Sequence, residues 1–104
     1  MDIKNIQKQL SDFADERDWN QFHNPKNLSM ALSVEASELV EIFQWLTPEQ
    51  AESIMESSEH EHVKEEMADI MIYLIRMADK LNVDLEESVT DKIVKNSKKH
   101  PKTD

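Results

Sequence analysis

The chain has 104 residues with 22 Asp and Glu against 12 Lys and Arg, a formal charge of −10, and neither cysteine nor glycine. That length supports one domain with a modest core. The composition excludes disulfides, zinc–thiolate sites and thiol nucleophiles, argues against glycine loops that cradle phosphates and against a turn-rich sheet, and disfavours a nucleic-acid polymer as partner.

The first residues, MDIKNIQKQL, are polar and mixed in charge and do not resemble a secretory signal. No apolar run approaches the roughly 18 residues of a membrane span, so a cytoplasmic protein without a membrane partner is expected. Ile3, Ile6, Leu10 and Phe13 recur at spacings of three and four and predict a first helix from about Asp2 to Arg17. Asp18 to Asn24 reads as a loop. Asn24-Pro25 is a helix start, with Asn as cap and Pro in the first turn, and the second main helix should run to about Leu46. Thr47-Pro48-Glu49-Gln50 opens a short helix to about Glu56. The third main helix spans about Glu59 to Leu81 and stops at Asn82. Asp84 and Glu87 form a capping box for the fourth, which runs to about Lys98 before Pro101. With no internal repeat or long linker, residues 1–104 read as a single all-α domain, a four-helix bundle with a loose tail from about residue 99.

Charge is unevenly placed along these elements. From Glu35 to Asp69 there are eleven acids and one cation, Lys64, whereas Lys92 to Lys102 holds five lysines and no acid. The second main helix carries an apolar stripe of Leu28, Ala31, Leu32, Leu39, Ile42, Phe43 and Leu46, and Glu35 falls near its middle, with Glu38 at the edge one turn on. The third repeats the arrangement: Glu66 lies within Val63, Met67, Ile70, Leu74, Met77 and Leu81, and Asp69 lies at the border beside Tyr73. A carboxylate in a core must be paired, neutralised or bound to metal. Spacing of i, i+3 sets two carboxylates on one helical face, and two such pairs on facing helices can converge on a hard cation. Oxygen ligands alone favour Mg²⁺ or Mn²⁺ over zinc. The competing reading is ordinary surface acids, since Glu38-x-x-Glu41 and Glu49-x-x-Glu52 show the same spacing.

These two motifs, Glu35-Ala-Ser-Glu38 and Glu66-Met-Ala-Asp69, resemble the all-α nucleotide pyrophosphohydrolases of MazG type. The likeness extends to RDWNQFHNPKNL, ELVEIFQW, EMADIMIYL and DKIVKNSKKHP, covers about residues 10 to 101, and is strongest to the deoxynucleotide-hydrolysing branch that includes the dCTP pyrophosphatases. The resemblance implies Mg²⁺-dependent cleavage of a nucleoside triphosphate, dCTP among the expected substrates, to monophosphate and pyrophosphate. It implies metal binding by Glu35, Glu38, Glu66 and Asp69, contact with the nucleotide by Trp19, His23, Trp45, Tyr73, Lys92 and Asn96, and a homo-oligomer, a tetramer or dimer. Glu35 is the candidate general base for the attacking water. Many relatives carry glycines where this chain has Val34 and Ser37.

Each residue also has a plainer reading. Trp19 can stack or pack, and Trp45 and Tyr73 lie near core stripes. Lys92, Lys95 and Lys99 share a face that suits solvent near a helix C-terminus. His60 and His62 read as surface residues and the six methionines as core filler. The rival functions are a phosphoribosyl-ATP pyrophosphohydrolase of the same superfamily and a non-catalytic helical bundle that binds a partner.

Overall fold

The computed structural model describes residues 1–103, and among them it is all helical. Its helices are α1 (Ile3–Glu16), α2 (Pro25–Phe43), α3 (Pro48–Glu52), α4 (His60–Leu81) and α5 (Leu85–Lys99), with a 3-10 turn at Ile54–Glu56 between α3 and α4. The expected starts form by the expected chemistry. Asn24 accepts the Asn27 N–H at 2.9 Å with Pro25 in the first turn of α2, and Asp84 accepts the Glu87 N–H at 3.0 Å. At α3 both halves of a capping box are made: Gln50 N–H to Thr47 Oγ1 at 3.2 Å, and Thr47 N–H to Gln50 Oε1 at 3.0 Å. Two segments differ from expectation. α2 ends at Phe43 rather than Leu46, and the short helix breaks into α3 and the 3-10 turn. Thr47 must leave the helical region to cap α3, which truncates the helix before it.

Without glycine, the left-handed backbone positions fall to residues with short polar side chains, Asp18 after α1 and Asn82 after α4. Asn82 ends α4 with its N–H returning to Asp79 O at 3.2 Å.

α4 is the central element, packing on α2 and, less extensively, on α1. The fully buried core is small: Ala14, Leu28, Val63, Ile75 and Ala78. The methionines do not fill it. Met1, Met30, Met55 and Met67 are exposed, as are Leu74 and Leu81 of the expected α4 stripe. α5 forms no extensive contact with any other helix, and only Leu85 in it is even half-buried. The chain exposes 8168 Å², where a compact 12.2 kDa monomer exposes about 6,100 Å². Its radius of gyration, 16.8 Å, likewise exceeds the roughly 13 Å of a compact chain of this length.

Candidate functional site

The α2–α4 interface is where the carboxylates meet. Leu28, Leu32 and Leu39 hold one face of α2 against α4, and Glu35, on that face, is carried in with them. Glu66 is drawn further in, to 7% exposure, one turn after buried Val63. One carboxylate oxygen from each of Glu35, Glu38 and Glu66 lies within 4.8 Å of the others. Glu35 Oε2 and Glu66 Oε2 are both buried with no hydrogen-bond partner, a costly state for a polar atom. The Glu35 carboxyl is pushed up to about 7, first by the adjoining Glu66 carboxyl, then by burial and by Glu38. Two acids this close favour sharing a proton, and a cation would replace that proton. Oxygen ligands at about 2.1 Å from an octahedral ion stand about 4.2 Å apart across it, so the trio is near the size of one coordination sphere.

Cations of the chain do little to neutralise this cluster. Lys64 reaches Glu61 at 3.1 Å and Arg76 turns to Asp79 at 3.6 Å. His62 is exposed, as its surface reading expects, yet it reaches the cluster's edge: its Nε2 stands 3.5 Å from Glu66 Oε1 while its Nδ1 contacts Glu59 Oε2 at 2.9 Å. Its imidazole is held above the ordinary histidine value by the Glu59 hydrogen bond first, then by acidic neighbours that include Glu66 and Glu38. The i, i+4 relation to Glu66 carried that signal.

Asp69 is half-buried on the same helix but is not among the three gathered oxygens. It lines an adjoining cavity of about 220 Å³ together with Phe13, Trp19, His23, Tyr73 and Arg76. Phe13 and Trp19 meet edge to face, with centroids 5.4 Å apart, a favoured aromatic geometry, and the His23 ring follows at 6.1 Å from Trp19. Tyr73 joins the cavity to the carboxylates: burial, and then the charges of Glu35 and Asp69, push its phenol up. A larger cavity, about 400 Å³ beside the α4–α5 turn, contains none of the expected site residues.

Three expected nucleotide contacts stand apart. Trp45 lies just past α2 and is 88% exposed, which corrects its reading as a packing residue. Lys92 and Asn96 are exposed on α5, and neither lines the aromatic cavity. Conversely, the structure adds Arg76, buried at 3% exposure, and Asn20, which it touches. Arg76 lies seven residues, two helical turns, after Asp69, so its position on the same face was readable; its burial was not.

The MazG-like family model matches residues 30–104. dCTP pyrophosphatase 1 from Rattus norvegicus is 38% identical over 100 residues, and that from Homo sapiens 39%. Each alignment takes in 95% of this chain but 59% of the relative, so the chain spans well under two thirds of these proteins. A solved pyrophosphatase from Archaeoglobus fulgidus superposes with a TM-score of 0.90 at 37% identity, covering 98% of this chain and 94% of the other. With the matching sequence, the matching helical architecture and the acids at the α2–α4 interface, this chain belongs to the MazG-like family.

Proposed function

We propose that this protein hydrolyses deoxynucleoside triphosphates, dCTP foremost, to the monophosphate and pyrophosphate, with Mg²⁺ as cofactor and Mn²⁺ as a substitute. The observation that carries the reading is the trio Glu35, Glu38 and Glu66, with two partnerless buried oxygens, set beside an aromatic cavity. The names of the relatives from rat and human, and of the archaeal neighbour, agree with it. Glu35, Glu38 and Glu66 would hold the cation, with Asp69 completing the set from the cavity side. A divalent ion there would draw the triphosphate oxygens in and offset the charge that develops in the transition state. Trp19 and Tyr73 would flank the base, with His23 at its edge. Water attacks the α-phosphorus in line, pyrophosphate leaves, and Glu35 takes the water's proton.

The excess surface and the solitary α5 support a homo-oligomer, a tetramer or dimer. Exposed Met30, Val34, Val40 and Met67, with Val89 and Ile93 of α5, supply the apolar area, and Lys92 and Asn96 would then serve a site shared between copies. Among the described residues no helix is long and apolar enough to cross a membrane, in keeping with a cytoplasmic location.

The test is to incubate the protein with Mg²⁺ and each common dNTP and NTP and to quantify monophosphate and pyrophosphate. dCTP should yield dCMP and pyrophosphate, with no turnover in EDTA. Well-folded protein that turns over no nucleotide overturns the proposal.

A further inference from the structure

The carboxylates and the aromatic walls leave one buried charge unaccounted for, Arg76. A guanidinium at 3% exposure is costly unless it is well paired, yet its one carboxylate partner among the described residues, Asp79, lies at 3.6 Å and is itself exposed. Its best contacts are to neutral acceptors on the loop that precedes α2. Nε donates to His23 Nδ1 at 3.2 Å, and Nη2 donates to Asn20 Oδ1. An apolar side chain would pin that loop with no buried charge to satisfy. What an apolar residue cannot do is orient an imidazole.

Arginine has donors only. The nitrogen facing it must therefore be bare, and the proton of a neutral His23 sits on Nε2. Protonating Nδ1 as well would press an N–H against the guanidinium. Burial, and then the charges of Arg76 and Lys80, keep this imidazole below its ordinary value. His23 shares the cavity wall with Trp19, Asp69 and Tyr73, so a single N–H of fixed identity belongs to that wall.

We propose that Arg76 is a positioning residue that fixes His23 as an Nε2–H donor, so that the cavity selects a nucleobase presenting a hydrogen-bond acceptor, a carbonyl oxygen or a bare ring nitrogen, at that edge. The inference rests on the reading of the cavity as the base site. A site built to donate one hydrogen bond discriminates against bases that offer a donor there, because the N–H, covered by the bound base, is then left unpaired.

Two measurements test it separately. In ¹⁵N-imidazole spectra of the wild-type protein, His23 should show one bare and one protonated nitrogen, with Nδ1 bare, and Arg76→Met should move both nitrogens toward the tautomer average. A protonated Nδ1 in the wild type overturns the proposal whatever the enzyme hydrolyses. In steady-state assays across the four dNTPs, Arg76→Met should raise KM for the preferred base about tenfold, the scale of one lost hydrogen bond. Its kcat should fall much less, and preference among bases should narrow. Arg76→Lys should recover part of the loss. If Arg76→Met does not fold, His23→Phe, which removes the donor and leaves α4 intact, should give the same KM loss and His23→Gln should restore part of it. An active wild type whose Arg76 and His23 variants lose activity equally on all four bases, or lose none, overturns the inference and leaves the hydrolase reading standing. A well-folded wild type that is inactive on every nucleotide overturns both the hydrolase reading and the base selection.

Discussion

Replacing Glu35 by glutamine should make the metal-free protein more stable at alkaline pH while removing its response to Mg²⁺. The Glu35 carboxyl rises from 4.5 to about 7 on folding because Glu66, burial and Glu38 all oppose its charge. For an acid raised in this way the folded state holds its proton more tightly than the unfolded chain does. The cost is therefore absent below 4.5, grows as pH rises, and is complete above 7. At about 1.4 kcal/mol per pH unit the full displacement is worth about 3 kcal/mol. Glu35 is half-buried, and solvent screens part of that, so a gain of about 1–2 kcal/mol is expected for Glu35→Gln at pH 8. The amide can also donate to Glu66 Oε2, which is partnerless in the parent. Such a gain corresponds to about 5–15 °C in melting temperature for a chain of this size. The assay is calorimetric melting in EDTA from pH 4.5 to 8.5, repeated with Mg²⁺. The advantage of the variant should vanish toward pH 4.5, and Mg²⁺ should stabilise the wild type progressively but the variant little. A Glu35→Gln protein that melts at or below the wild type at pH 8, or an offset that is the same at pH 5 and 8, refutes the account of the cluster as a site strained by its own charge.

Three further outcomes are expected. Glu38→Ala and Asp69→Ala should each abolish Mg²⁺-dependent turnover with helical circular dichroism unchanged; near-normal turnover in either would remove that residue from the metal set. Leu28→Ala should destabilise the protein by about 2–4 kcal/mol in urea melts, the range for emptying a fully buried leucine position, because Leu28 is 2% exposed in a core of few residues. Asn82→Val should cost about 1–2 kcal/mol, since a β-branched residue at φ 59° meets the Cβ–carbonyl clash that Asn tolerates, whereas Asn82→Gly should be neutral or better.

Local chemistry was the readable part of this fold. Caps at Asn24, Thr47 and Asp84 act on the next three residues, and all three form, the full reciprocal box at Thr47 with Gln50 and only the Asp84-to-Glu87 half of the box expected at α5. Glu35 and Glu66 were readable as well, because a charged residue inside an apolar stripe is an anomaly whatever the partner helix. The exposed side of α4 was not readable in the same way: Met67 and Leu74 look like core by period but stay exposed in a single chain. Periodicity marks an apolar face without saying whether the chain itself or a second copy covers it. The burial of Arg76 against Asn20 and His23 depends on contacts across more than fifty residues. No local spacing encodes them.

The two left-handed turns at Asp18 and Asn82 carry a consequence for the unfolded chain. Proteins of this length average about seven glycines, and this one has none, even where φ is positive. Each glycine replaced at a compatible position lowers the entropy of the unfolded ensemble by about 0.4–1 kcal/mol. The helices, where φ is negative, draw that gain throughout, whereas Asp18 and Asn82, at φ 55° and 59°, offset part of it. With so few fully buried residues, part of this protein's stability resides in the stiffness of the chain before it folds, where no native contact records it.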